Sequence, residues 1–203
     1  MTLRCGERTW EEECDYLACG FGLLPNLELP RLLGCRIERG AVWVDGTQHT
    51  SVADVYAAGE LTGIGGLDKA LVEGQIAGLH ATNRGLAALE HAPRRRAALA
   101  FAGRLERAFA LRPELLRLAE DATIVCRCED VRYGDLHLHT TWRSAKLHTR
   151  CGMGACQGRV CGGATELLFG WAQDSVRPPI LPARVGTLIE DSEFRIQDSG
   201  IGS

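Results

Sequence analysis

Five of the nine cysteines lie between residues 126 and 161, and their spacing is typical of metal binding. Cys126 and Cys128 are separated by one residue, so one short turn presents both thiolates to one centre. Cys156 and Cys161 follow on a glycine-rich loop, where the backbone can bend around a bulky inorganic core. Cys151 is a fifth thiol just before that loop. Four thiolates suit either a tetrahedral zinc ion or an iron–sulfur cluster.

The single-residue gap between Cys126 and Cys128 favours a cluster over zinc. Zinc sites usually separate paired cysteines by about two to four residues. Glycines in the loop also leave backbone N–H groups that can donate to sulfur, which tunes the reduction potential of a cluster. A structural zinc ion and reduced thiols without a metal stay as the alternatives.

The segments CRCEDV and TRCGMGACQGRVC resemble the bacterioferritin-associated-ferredoxin-like [2Fe–2S] domain. They are similar above all to the form found in flavoprotein subunits of opine oxidases, hydrogen cyanide synthase and sarcosine or proline dehydrogenases. The resemblance covers residues 123–170, and under it Cys151 either neighbours the cluster or replaces Cys161 as a ligand. The ligands that it implies are Cys126, Cys128, Cys156 and Cys161.

A second candidate site lies in the first half of the chain, where TSVADVYAAGE ends in Gly59 and Glu60. The sequence predicts a strand over residues 52–58, then the loop LTGIGG and a helix over residues 68–90. Glycines at such a junction let the backbone approach a ligand closely, and the helix N-terminus supplies N–H donors. The Glu60 carboxylate can accept hydrogen bonds from ligand hydroxyls. The alternative is that these glycines serve packing alone.

This stretch is similar to the second FAD-binding motif of two-dinucleotide-domain flavoproteins, over residues 13–90. The resemblance implies that Glu60 contacts the ribityl chain, although most of the family has Asp at that position. Residues 15–26 resemble the return of the chain from a nicotinamide domain to the FAD domain. No GxGxxG fingerprint occurs, so we expect the C-terminal portion of a longer flavoprotein. The residues assigned to the flavin are Gly59, Glu60, Gly65, Gly66 and Leu67.

Length and composition limit which other kinds of protein this sequence can be. The 203 residues favour two small modules, and 23 basic against 26 acidic residues give no general reason to bind nucleic acid. No apolar run approaches the about 20 residues of a membrane span, and no signal peptide is visible. We therefore expect a cytoplasmic protein with reduced cysteines. The four cysteines of the first 35 residues are interpreted as structural, namely Cys5, Cys14, Cys19 and Cys35.

The predicted fold is α/β, a partial FAD-binding two-dinucleotide-domain fold, followed by a small, mostly helical, Cys-rich [2Fe–2S] domain. We expect short strands over residues 15–20 and 41–44, and helices over 93–111, from Pro113 and after Cys161. Arg94, Arg95 and Arg96 form a solvated helix face or an anion or partner contact. The predicted divisions are 1–92 for the FAD/NAD(P)-binding part, 93–121 for a helical connector, 122–175 for the [2Fe–2S] domain and 176–203 for a tail.

Three functional hypotheses follow. The first is a fragment or subunit of an FAD-dependent amine, opine or imino-acid dehydrogenase that passes electrons between FAD and a [2Fe–2S] cluster. Its partners would be other flavoprotein subunits or the missing N-terminal half. The second is an electron-transfer or assembly module without turnover of its own, and the third is a structural zinc domain. Iron with acid-labile sulfide separates the third from the others, and bound flavin separates the first from the second.

Overall fold

The computed structural model describes residues 1–18, 20, 22–173, 176, 178–181 and 183–186. Within them, six short strands form three separate antiparallel pairs. The pairs are β1 (Thr2–Cys5) with β2 (Arg8–Glu11), β3 (Ile37–Glu38) with β4 (Ala41–Val42), and β5 (Ile124–Cys126) with β6 (Val131–Arg132).

Helices make up most of the regular structure. The α-helices are α1 (Glu28–Leu32), α2 (Gly66–Ala81), α3 (Gly85–Ala88), α4 (Ala92–Ala108), α5 (Tyr133–Leu136), α6 (Trp142–Thr149) and α7 (Cys161–Phe169). Short 3₁₀ segments occur at Gly59–Thr62, Leu89–His91 and Pro113–Arg117. This mixture of helices and small sheets agrees with the predicted α/β class, while the FAD-binding fold stays a prediction.

Two of the predicted strands are wrong. The stretch 52–58 forms only an isolated antiparallel bridge between His49 and Tyr56, and no part of 15–18 is a strand. Tyr16 is 93% exposed, so the run that we expected to be buried lies in solvent. An apolar run indicates burial, but a strand also needs a neighbour that completes its hydrogen-bond ladder. The strand predicted over residues 41–44 is confirmed in its first half, where Ala41–Val42 forms β4.

The helix predictions are better, and their ends differ for local reasons. The helix expected over 68–90 begins earlier, at Gly66, and ends at Ala81. Asn83 then takes a positive φ of 59°, which Asn tolerates better than most residues and which interrupts the helix before α3. α4 and α7 confirm the predicted helices. The helix expected from Pro113 is a 3₁₀ turn instead.

The apolar core is divided into three small clusters. The first joins Leu27 and Cys35 to the segment near Ala57, the second lies between α2 and α4, and the third lies around the C-terminal cysteines. Cys35 is buried as predicted, whereas Cys5 and Cys14 are exposed, because the β1–β2 hairpin and the stretch after it belong to none of these clusters. Cys19 lies outside the described residues.

Candidate metal centre

Short elements carry the five clustered cysteines to one place. Cys126 ends β5, and Cys128 lies in the tight turn that leads to β6. Cys151 follows α6, which ends at Arg150 in a left-handed conformation with φ of 64°. Cys161 is the first residue of α7. The local sequence therefore sets each cysteine at the end of an element, where its sulfur can turn inward.

The thiols converge in two groups. The sulfurs of Cys126, Cys151 and Cys161 lie within 4.8 Å of one another, and all three residues are buried. Cys161 is hydrogen-bonded to both of the others. Cys128 is hydrogen-bonded to Cys156, which lies near enough to interact electrostatically with Cys161. The structure thus places two of the predicted ligands, Cys126 and Cys161, together with Cys151, and the other two, Cys128 and Cys156, form a second group, so the ligand set stays a prediction.

Backbone donors surround the Cys156 sulfur. The N–H groups of Val160 and Gly158 and the Cys128 thiol bond to it, and the Arg159 N–H, which donates to the Cys156 carbonyl oxygen at 3.0 Å, has a weaker influence. The bond from Val160 is the strongest influence, and together these donors hold the pKa of Cys156 below its ordinary value despite partial burial. Donors of this kind stabilise a thiolate and, in a metal site, tune the metal.

Cys161 has the opposite environment. Its hydrogen bond with Cys151 and its burial raise its pKa well above the ordinary value when no metal is bound. The residue is 1% exposed and lies against Trp142 and Trp171 in the third core cluster. Such a dry wall excludes water from one side of the thiol group. A bound cation would remove the proton, since metal ligation requires the thiolate.

Glycine is required where the loop passes Cys128. A Cβ on Gly154 would lie 2.2 Å from the Cys128 Cβ, a distance that no real side chain tolerates. Gly158 has a φ of +82°, in the left-handed region, and so turns the loop back under Cys156. Arg150 Nε lies 2.7 Å from Glu129 Oε2, which fastens the two cysteine-bearing segments at their outer edge.

The second candidate site has a different geometry from the one predicted. Glu60 Oε1 accepts hydrogen bonds from Gly66 N at 2.7 Å and Gly65 N at 3.4 Å, so this carboxylate caps the N-terminus of α2. Its other oxygen, Oε2, is buried and has no hydrogen-bond partner among the described residues. A buried carboxylate oxygen is costly to leave unpaired, and a water molecule or a ligand donor at this oxygen would remove that cost.

A buried ion pair holds the residue before Glu60. Lys69 Nζ lies 2.8 Å from Glu73 Oε2 and donates to Gly59 O at 2.8 Å, while Gly59 N donates to Glu73 Oε2 at 3.0 Å. Both polar groups of this glycine are therefore fixed by one pair of charges. Sequence reasoning missed this network, although Lys and Glu four residues apart on a helix are a signal for it.

Arg95 corrects the interpretation of the arginine triplet. Its Nε lies 3.9 Å from Glu73 Oε1, and its side chain is 21% exposed. Arg95 therefore belongs to the buried network rather than to a solvated face. Arg94, by contrast, lines a cleft of about 560 Å³ whose other walls are the start of α2 and α4, at Gly65, Gly66, Leu67 and Phe101.

Two ion pairs join the Cys-rich module, predicted over residues 122–175, to the first module, predicted over residues 1–92. Arg159, in the loop between Cys156 and Cys161, donates to Glu28 Oε2 from Nε at 3.1 Å and from Nη2 at 2.9 Å. Arg31 lies 3.9 Å from Glu166. Glu28 and Arg31 are both on α1, so this helix makes the two ion pairs with the Cys-rich module.

Comparison with known proteins identifies relatives. The chain is 35% identical over 195 aligned positions to an opine oxidase subunit of Rhizobium meliloti (strain 1021), with 83% of the chain and 42% of the relative covered. It is 32% identical over 176 positions to hydrogen cyanide synthase subunit HcnB of Pseudomonas aeruginosa, covering 74% of the chain and 37% of the relative. A shorter match, 46% over 52 residues, covers 25% of the chain and 12% of the NAD(P)H sulfur oxidoreductase of Pyrococcus abyssi.

These matches confirm the resemblance to opine oxidase and hydrogen cyanide synthase subunits that the motifs indicated. The chain spans about two fifths of the length of these two relatives. No family model and no solved structure matches it. In the part of the chain that the structure describes, no helix combines the length and the apolar content needed to cross a bilayer.

Proposed function

We propose, from the premise that this chain is a homologue of opine oxidase and hydrogen cyanide synthase subunits, that it holds a [2Fe–2S] cluster beside an FAD site. It is the part of an FAD-dependent oxidoreductase in which electrons pass between the two cofactors. The observation that carries the proposal is the convergence of the buried Cys126, Cys151 and Cys161 sulfurs within 4.8 Å of one another, with the Cys128 and Cys156 pair beside them.

The donor set fits an iron–sulfur cluster. The proposed ligands are Cys126, Cys128, Cys156 and Cys161, with Cys151 as a buried neighbour. Thiolates are the usual ligands of [2Fe–2S] clusters, and the N–H donors on Cys156 supply the hydrogen bonds that tune them. Free thiols and a cluster also fit a reducing compartment such as the cytoplasm.

The flavin-binding residues are proposed from the second site. The unpaired oxygen of Glu60 would accept a hydrogen bond from a ribityl hydroxyl, while its other oxygen continues to cap α2. The start of α2 at Gly65, Gly66 and Leu67 borders the cleft of about 560 Å³, which offers room for part of a ring system. Gly59 is held from both sides by the Lys69–Glu73 pair, so the backbone beside Glu60 is preorganised.

The protein's part in the chemistry is to position the two cofactors and to keep water away from them. Bound FAD would exchange two electrons with an amine, opine or imino-acid substrate, and the cluster would carry electrons one at a time. The chain supplies the thiolates, the N–H donors and the dry wall around Cys161, and it holds Glu60 in place. The named relatives are subunits, so we propose that partner subunits complete the substrate site and the rest of the FAD site.

Anaerobic purification with assays for iron, zinc and acid-labile sulfide, together with a visible spectrum, tests the proposal. We expect two irons and two sulfides per chain and absorption bands that bleach on reduction with dithionite. One zinc ion without sulfide would overturn the electron-transfer proposal and leave a structural zinc domain. The part of the relative that this chain does not cover can be supplied as a separate polypeptide. Flavin binding under that condition would support the oxidoreductase proposal. A cluster with no flavin under those conditions would favour a pure electron-transfer module.

A further inference from the structure

We infer that Glu28 and Arg159 are a positioning pair, which fixes the cluster loop against the flavin-binding segment and balances the positive charge beside the cluster. The inference rests on the proposed function, because it assigns a role toward the same cofactors. It concerns residues that lie outside both candidate ligand sets.

Arg159 touches the cluster loop and the first module at the same time. Its backbone N–H donates to the Cys156 carbonyl oxygen at 3.0 Å, and its guanidinium donates twice to Glu28 Oε2, at 3.1 and 2.9 Å. A third guanidinium bond goes to the Ile180 carbonyl. One residue thus holds a proposed ligand with its backbone and a distant helix with its side chain, across 131 positions of sequence.

From Glu28 the connection continues to the flavin-binding segment. Leu27, the preceding residue, is buried in the same core cluster as Ala57, with Leu61 packed against that cluster. Ala57 and Leu61 lie on either side of the Gly59–Glu60 pair in the sequence. The pair therefore anchors Cys156 to the chain that carries Glu60 through one ion pair and one packed leucine.

The charges give the pair a measurable effect on the cluster. A guanidinium carries a fixed positive charge in proteins, and Glu28 is the carboxylate hydrogen-bonded to that of Arg159. Reduction adds a negative charge to the cluster. An uncompensated Arg159 would therefore raise the reduction potential, whereas an uncompensated Glu28 would lower it. The side chains are 31% and 21% exposed, so solvent screens part of each charge.

Arg31 and Glu166 provide a matched control. This second ion pair also joins α1 to the Cys-rich module, at 3.9 Å, but among the described residues neither partner is hydrogen-bonded to a proposed ligand, whereas Arg159 is bonded to Cys156. An Arg31→Gln change loosens the same contact between modules without disturbing the cluster loop. It separates the effect of the Glu28–Arg159 pair from general loosening.

The experiment uses the full chain purified with its cluster. Reduction potentials are measured by dye-mediated titration for wild type, Glu28→Gln, Arg159→Gln, the double variant and Arg31→Gln. Urea unfolding of the metal-free proteins gives a second readout that needs no cofactor. Should Arg159→Gln fail to fold, Glu28→Gln alone tests the charge, and Arg159→Lys, which keeps the charge but loses the planar fork, should leave the potential close to wild type.

We expect Glu28→Gln to raise and Arg159→Gln to lower the potential, each by about threefold in the one-electron equilibrium constant, or about 28 mV, since tenfold is about 59 mV. The double variant should return close to wild type, and Arg31→Gln should leave the potential unchanged. In unfolding, the two single changes should be non-additive.

Shifts in the same direction, or an equal shift in Arg31→Gln, would overturn the inference while leaving the proposed function intact. Additive unfolding effects would also count against a direct pair. A wild-type chain without iron and sulfide would overturn the proposed function itself, and the inference would fall with it. The iron and sulfide assay, made first, therefore distinguishes the two failures.

Discussion

Lys69 and Glu73 form an ion pair with 2.8 Å between Nζ and Oε2, and their side chains are 2% and 1% exposed. A pair so completely buried is held by its hydrogen bonds to Gly59 and Thr62. Removing one partner leaves the other charge without compensation in a dry place. The pair consequently ties the stability of α2 to the exact position of the segment before Glu60.

Lys69→Met should therefore be strongly destabilising. We expect a loss of about 3 to 5 kcal/mol in the free energy of unfolding, because Glu73 would stay buried with only Arg95 nearby. Urea denaturation followed by circular dichroism measures it. The Lys69→Met/Glu73→Leu double variant is the control and should be less destabilised than Lys69→Met alone. A single variant as stable as wild type would show that the pair is solvated.

Gly154→Ala should abolish cluster loading. The added Cβ would meet the Cys128 Cβ at 2.2 Å, so the loop would have to move away from a proposed ligand. Iron and sulfide per chain are the measurement, and we expect less than about a tenth of the wild-type content. Gly74→Ala, in α2, is the control, because its Cβ would meet nothing within 4 Å. Normal loading of Gly154→Ala would contradict the close approach.

The cysteines should differ in what their loss does to the metal content. Cys126→Ser and Cys156→Ala each remove a proposed ligand and should leave little cluster, whereas Cys151→Ala should keep most of it. Iron analysis and the visible spectrum of the three variants provide the comparison. If Cys151→Ala is the variant that loses its iron and a Cys161→Ala variant keeps it, Cys151 rather than Cys161 completes the ligand set.

The metal-free chain should react unevenly with an alkylating reagent. The pKa of Cys156 is lowered by hydrogen bonds, above all the one from the Val160 N–H. The pKa of Cys161 is raised by its bond with Cys151 and by burial. Near neutral pH we expect Cys156 to be modified at least about tenfold faster, because the thiolate is the nucleophile. Peptide mass spectrometry after chelation gives the rates. Buried Cys35 serves as the slow reference, and faster labelling of Cys161 would contradict the geometry.

Asp45 should make the stability depend on pH below neutrality. Burial raises the pKa of this carboxyl, but bonds from the Thr47 hydroxyl at 2.6 Å and from the Thr47 and His49 N–H groups outweigh it. The pKa therefore lies below its ordinary value. The contribution of Asp45 to the free energy of unfolding is therefore fully present above the pKa of Asp in the unfolded chain, about 3.9. It disappears as the pH falls through the lower pKa of Asp45 in the folded chain.

Asp45→Asn tests that dependence. The difference in unfolding free energy from wild type should be constant from about pH 7 to pH 5 and shrink toward about pH 3. It should amount to less than about 1 kcal/mol, because Asp45 is exposed and solvent screens the interaction. Urea titrations at these pH values measure it. A difference that does not change with pH would show that the carboxylate charge contributes nothing.

The sequence predicted what depends on local spacing. The separation of Cys126 from Cys128 and the glycines before Cys156 indicated a metal centre, and the structure brings those thiols together. The helix expected over residues 93–111 likewise corresponds to α4, apart from its ends. Such features are properties of neighbouring residues, so a single sequence contains them.

What the sequence could not predict depends on partners far along the chain. Cys151 joins Cys126 and Cys161 only because α6 ends in a left-handed residue at Arg150. The strand expected over 52–58 fails because an apolar run states nothing about which strand will pair with it. The Glu60 carboxylate accepts a hydrogen bond from the Gly66 N–H at the start of α2. Amino-acid composition does not predict which donor a carboxylate will meet.

The contact between α1 and the Cys-rich module has a consequence for synthesis. Glu28 leaves the ribosome 131 residues before Arg159, which at about 5 to 20 residues per second is a delay of roughly 7 to 26 s. During that interval α1 lacks its ion-pair partners in the Cys-rich module, and Leu23 and Leu24, which precede it in the sequence, are exposed even in the full chain. Nascent chains stalled before residue 159 are therefore the species on which we expect holdase chaperones to act.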